Sequence, residues 1–104
     1  MKNRYKIILS GRKIYKEIEM PMEVSKLTVG TGVNCDVRLR KENFFEQFEL
    51  IFKCEKNEWQ LFCSDNVYIT SDDISKLLTK KLVHGEEMYL RYHYSDGDIF
   101  KISF

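Results

Sequence analysis

The sequence predicts an all-β chain: an antiparallel two-sheet β-sandwich of about ten short strands. Three observations carry that prediction. Turn chemistry recurs along the whole chain, at Ser10-Gly11, Gly30-Thr31-Gly32, Glu55-Lys56-Asn57-Glu58, Ser64-Asp65-Asn66, His84-Gly85-Glu86 and Ser95-Asp96-Gly97-Asp98. Between these turns, apolar and polar residues alternate as they do on strands with one buried face. Seven Phe, six Tyr and one Trp also favour strands over helices.

Residues 5–10 form the first strand, and Ser10-Gly11 turns it, because glycine accepts the positive φ of a tight hairpin. Residues 13–20 form its partner. Ile14, Lys16, Ile18 and Met20 share one parity and Tyr15, Glu17 and Glu19 the other, giving one wet face. Pro21 ends that strand, since it cannot donate to a ladder, and residues 22–25 connect to the next. Residues 26–29 are the third strand. The glycines of Gly30-Thr31-Gly32 suit a sharp bend; a phosphate-cradling loop is the weaker alternative, with no GxxxxGK(S/T), no third glycine and no following helix.

Residues 37–39 make a short fourth strand, with Arg38 pointing the opposite way, and residues 40–43 a polar loop. Residues 44–53 are the longest apolar-aromatic run and read as a strand that turns at Glu55-Lys56-Asn57-Glu58. Residues 59–63 follow, with Trp59, Leu61 and Cys63 on one face, and then residues 67–70. Within residues 71–81, Ile74, Leu77, Leu78 and Lys81 fall at helical spacing, and Ser71-Asp72-Asp73 suits a helix start. The stretch is short and set among strands, so it reads as a loop with at most one helical turn, then a short strand. Residues 88–92 and 99–104 close the fold around Ser95-Asp96-Gly97-Asp98, the clearest hairpin turn in the chain.

At 104 residues, with no linker, repeat or low-complexity segment, residues 1–104 read as a single domain. The 43% hydrophobic and 32% charged content is that of a globular rather than a disordered chain. A net charge of +1 supplies no global field for nucleic acid or an anionic membrane, so neither is an expected partner. The local cluster Lys2, Arg4, Lys6, Arg12, Lys13 and Lys16 reads as a solvated strand face. Three cysteines, odd in number and without CxxC spacing, fit a reducing compartment, and a cytoplasmic location is expected. The apolar run at residues 7–9 is too short for the core of a signal peptide. The chain stops inside an apparent strand, as the excised N-terminal domain of a longer protein would, and as a short complete protein can.

Candidate chemistry is sparse. His84 and His93 are the only histidines, and neither neighbours a candidate nucleophile in sequence. Cys35, Cys54 and Cys63 have only Arg38 and Lys56 nearby to lower a thiol pKa, and Cys63 reads as a buried small hydrophobe. No acid/base pair, metal-ligand spacing or cofactor motif stands out, so neither catalysis nor a cofactor or metal is expected. Phe44, Phe45, Phe48 and Phe52 resemble a base-stacking platform, but Glu42, Glu46 and Glu49 interleave where such platforms are basic; core packing is the better account.

Residues 27–39, LTVGTGVNCDVRL, together with the run 44–52 and Trp59-Gln60-Leu61, resemble the core of a forkhead-associated domain, a β-sandwich that binds phosphothreonine peptides. The family's Gly-Arg falls on Gly30-Thr31, and its Cys/Asp-rich corner on Asn34-Cys35-Asp36-Val37-Arg38-Leu39. Its Ser-Arg-x-His block falls on Phe45-Glu46-Gln47-Phe48, and its Asn-Gly turn near Asp65-Asn66-Val67. Its Leu-x-x-Gly-Asp pattern falls on Leu82-Val83-His84-Gly85-Glu86. Framework positions match and ligand positions do not: the family's phosphate-contacting arginine is Thr31, its serine Phe45 and its buttressing histidine Phe48.

The resemblance therefore implies a protein-interaction or assembly module that has lost the usual phosphothreonine-binding residues. Its expected contact surface is the loops 31–34, 40–46 and 64–67, with Thr31, Gly32, Asn34, Arg40, Lys41, Phe45, Glu46 and Asn66 as site residues. A phosphothreonine-peptide reader using Arg40 and Lys41 is the alternative, and a small enzyme with a Cys/His site a more distant one. Degenerate domains of this kind stand at the N-termini of membrane-anchored type VII secretion ATPases, and the resemblance implies such a placement, with the parent rather than this domain at the membrane.

Overall fold

The computed structural model describes residues 5–20, 25–71, 75–94 and 97–104, and within them ten strands. In chain order these are β1 (Lys6–Ser10), β2 (Tyr15–Glu19), β3 (Lys26–Gly30), β4 (Val37–Arg38), β5 (Glu49–Glu55), β6 (Glu58–Cys63), β7 (Val67–Thr70), β8 (Thr79–Lys81), β9 (Glu87–Tyr92) and β10 (Asp98–Ser103). A single turn of 3-10 helix, Lys41–Asn43, interrupts the loop before β5. Two five-stranded sheets result, one ordered β2-β1-β10-β9-β7 and the other β4-β3-β5-β6-β8.

Alternation drives their packing. Ile7 and Leu9 of β1, Leu50 and Phe52 of β5, Trp59 and Leu61 of β6, Met88, Leu90 and Tyr92 of β9, and Phe100 and Ile102 of β10 face one shared core. Each such side chain taken from water contributes about 1.5–3 kcal/mol. Strand β7 departs from alternation, with all four residues buried. Its Tyr68 ring is covered by His93, at 5.1 Å between centroids, and by the Lys76 ammonium at 5.3 Å.

The tight turn at Lys56-Asn57 forms as the sequence predicts, with φ of 53° and 66°, the conformation that matches strand twist in a two-residue hairpin. Three expectations change. The β3–β4 pair is parallel, Val29 opposite Val37 and Gly30 opposite Arg38, so the sandwich is not wholly antiparallel. Residues 44–48 are loop, and β5 starts at Glu49. The first hairpin closes over residues 11–14 rather than at Ser10-Gly11, with Gly11 N–H donating to Ile14 C=O at 2.8 Å. The described part of residues 71–81 is loop followed by the short strand β8, as expected, and Leu77 exchanges backbone hydrogen bonds with Ile69 at 2.7 and 2.9 Å. Lys2, Arg4, Pro21, the 22–24 connector, Asp72, Asp73, Ile74, Ser95 and Asp96 lie outside the described residues.

Candidate functional site

Strand direction brings five segments to one end of the sandwich: residues 11–14, 31–36, 39–48, 64–66, and, between β9 and β10, the described residues 93, 94 and 97. Hydrogen bonds tie them together. His93 N–H donates to Asn66 C=O at 3.4 Å, and Asn43 Nδ2 to Lys13 C=O at 3.4 Å.

The β3–β4 corner is closed on itself. Gly30 is required there, since a Cβ would stand 2.9 Å from Glu49 Cα and overlap the Phe48 carbonyl oxygen. Thr31 is 2% exposed. Its hydroxyl accepts from Phe48 N–H at 3.0 Å and donates to Phe48 C=O at 3.3 Å. The Asp36 carboxylate accepts from Thr28 N–H at 2.9 Å and from the Thr28 hydroxyl at 3.1 Å, while Asp36 N–H donates to that hydroxyl at 2.8 Å. The backbone bond from Thr28, followed by its hydroxyl, holds the Asp36 carboxyl below its ordinary 3.8. These bonds also account for the parallel pairing, because they fold residue 36 back onto strand β3. Asn34 and Val33 project to solvent at the tip.

The β4–β5 loop is open. Arg40 precedes the 3-10 turn and Lys41 begins it; both are exposed and make no side-chain ion pair among the described residues. With Arg38, Leu39 and Glu42 they line a shallow cavity of about 240 Å³. Phe44 turns inward, edge-on to Phe48 at 5.1 Å, whereas the adjacent Phe45 is 95% exposed. Two clasps hold the far side of the loop. The Tyr92 hydroxyl accepts from Glu46 N–H and donates to Glu46 C=O, both at 3.1 Å. Asn66 Nδ2 donates to Gln47 C=O at 2.7 Å and to a Glu46 carboxylate oxygen at 3.2 Å. The Ser64 hydroxyl orients that amide, donating to Asn66 Oδ1 at 2.9 Å while accepting from Glu49 N–H at 3.1 Å.

The predicted site residues therefore divide. Glu46 and Asn66 meet directly, Thr31 faces inward, Gly32 lies against Glu49, and Asn34, Arg40, Lys41 and Phe45 are presented to solvent. Sequence reasoning missed the two loops at residues 11–14 and between β9 and β10, which share this end. Counting strand reversals would have found them.

The Cys35 and Cys63 thiols are poorly suited to nucleophilic attack. Burial pushes Cys63 up to about 12, and burial followed by the Glu49 carboxylate, 3.7 Å from its sulfur, raises Cys35. The histidine rings lie by Tyr5 and Tyr68. Among the described residues no three His, Cys, Asp or Glu side chains group as metal ligands, and no helix is long and apolar enough to cross a membrane.

This sandwich of two five-stranded sheets has the fold of the forkhead-associated domains. The FHA-1 domain of Mycobacterium tuberculosis Rv1747 superposes with a TM-score of 0.56 over 95% of this chain and 97% of that one, at 13% identity. An engineered FHA domain with a Myc-pTBD peptide gives 0.57 over 93% and 86%, at 17% identity. At such identities the likeness shows the fold alone. No family model matches the sequence, and no curated protein does.

Proposed function

We propose that this chain is a protein-interaction module whose partner is bound without dependence on phosphothreonine. The observation that carries this reading is the chemistry where the 31–36, 39–48 and 64–66 loops meet. Two carboxylates, Glu46 on Asn66 and Glu49 on Cys35, stand at that junction, and Thr31 is turned inward onto Phe48. A phosphate dianion there meets like charge. Hydrogen bonds to a charged group contribute about 1.5–3 kcal/mol each, so a missing arginine and serine together weaken a phosphopeptide by about two decades or more. The exposed Phe45 offers an apolar contact instead. Peptide binding by the engineered neighbour of the same fold supports a peptide-like partner.

The test is a titration of the domain against a degenerate phosphothreonine library and its unphosphorylated counterpart, with the expectation that phosphate adds no affinity. The second reading is a phosphopeptide reader built on the cations around the cavity of about 240 Å³. Phosphate-dependent binding that Arg40→Ala abolishes would establish it in place of the first. An assembly role at the N-terminus of a type VII-like secretion ATPase, on the cytoplasmic side, extends the main reading. Its support is the resemblance of a degenerate forkhead-associated module, and co-purification of a motor subunit with the full-length protein tests it.

A further inference from the structure

Beside the loop junction lies a cavity of about 290 Å³. Its walls come from the residue 11–14 loop, the β4–β5 loop and the β9–β10 hairpin. Ile14, Phe44, Phe45, Tyr92 and Ile99 supply its apolar surface. That surface is preformed. Tyr92 is pinned by its two bonds to Glu46, Phe44 packs edge-on against Phe48, and Asn43 ties the loop to Lys13. The volume sits at the bottom of the ~300–1,000 Å³ range of small-molecule sites, room for one aromatic or branched aliphatic side chain.

The rim is basic. Arg12 and Lys13 are exposed and make no ion pair among the described residues. Asp98, the carboxylate among the described lining residues, is engaged by Arg91 Nε at 2.6 Å. An incoming chain thus meets an apolar hole beside two open cations. The cations are separate, solvent-exposed side chains on successive residues, an arrangement that can pair with two carboxylates along an extended chain.

We infer that this cavity anchors the partner: it receives one large apolar side chain of an extended peptide whose flanking residues are Asp or Glu, paired with Arg12 and Lys13. The inference rests on the phosphorylation-independent module proposed above and names that module's ligand. It puts the anchor on the Asn43–Phe45 part of the β4–β5 loop, in a cavity whose lining includes none of Arg40, Lys41 and Asn66.

The experiment is selection from displayed unphosphorylated and phosphothreonine peptide libraries on the 104-residue chain, followed by anisotropy and amide-shift mapping of the selected peptides. Expected are phosphate-free binders carrying Phe, Leu or Ile next to Asp or Glu, with shifts centred on Arg12, Phe45 and Ile99. Their affinity should fall as salt rises. Arg12→Glu with Lys13→Glu, or Phe45→Ala alone, should raise Kd about tenfold, or about 1.4 kcal/mol. All three side chains are solvent-exposed, so the variants should fold, and circular dichroism checks that they do. Phosphate-free binders that map to the Arg40 and Asn66 loops and ignore these variants would overturn the anchor and leave the proposed function standing. Binding by phosphothreonine peptides only, or no selected binder at all, would overturn both.

Discussion

The β3–β4 corner and the β4–β5 loop lie side by side at one end of the sandwich and use their polar groups in opposite ways. In the corner they are satisfied internally: Asp36 on Thr28, Thr31 on Phe48, Cys35 on Glu49. In the loop, backbone clasps to Tyr92 and Asn66 fix the main chain and leave the side chains of Arg40, Lys41 and Phe45 to solvent. The corner is framework and the loop is presentation. Thr31 and Phe45 illustrate the two cases: Thr31 is absorbed into the packing, and Phe45 stands at the surface.

That contrast is sharpest between Phe48 and Phe45, three residues apart. Phe48→Ala should lose about 3–5 kcal/mol in urea unfolding, since its ring is buried against Phe44 and Phe100. Phe45→Ala should stay within about 0.5 kcal/mol of the parent. A large loss at Phe45 would break the division between framework and presentation. Next in size, Thr31→Val should cost about 1–3 kcal/mol, because an isosteric side chain leaves the Phe48 N–H without its acceptor in a buried setting. An unchanged midpoint would mean that the corner does not depend on that bond.

A smaller loss than at Thr31 is expected at Asp36. Its carboxyl titrates below its ordinary value in the folded state, so the ionised form stabilises the fold above that value, and the contribution is lost as pH falls through the folded pKa. Asp36→Ala should therefore lower the melting temperature at neutral pH, and the gap from the parent should narrow below about pH 4. A gap that persists unchanged into acid would assign the effect to lost packing instead of charge.

The strands were largely legible because alternation is a local signal: Ile14, Ile18 and Met20 are partly or fully buried, while Tyr15, Glu17 and Glu19 are exposed. Strand β4 has two residues, too few to show a direction, so its parallel pairing was hidden. The aromatic density of residues 44–48 read as a strand, whereas Phe44 and Phe48 turn inward from a loop with Phe45 out. Apolar content cannot separate those cases. At the site, Thr31 was legible as a residue of the loop after strand β3. Its inward hydroxyl was not, since that depends on Phe48, seventeen positions away. Arg12, Lys13 and Tyr92 went unnoticed for a similar reason: their proximity is a property of topology, not of neighbouring letters.

The parallel strand β4 has a consequence for reach. In an up-and-down meander successive turns alternate between the two poles, so a ligand at one pole meets every second connection. Because β4 runs the same way as β3, the chain leaves both strands at the same pole, and two consecutive connections, 31–36 and 39–48, open side by side. Two residue pairs, Val29 with Val37 and Gly30 with Arg38, thereby place both connections at one tip, separated only by strand β4. Insertions or deletions there can reshape the tip while the register of the nine longer strands stays untouched.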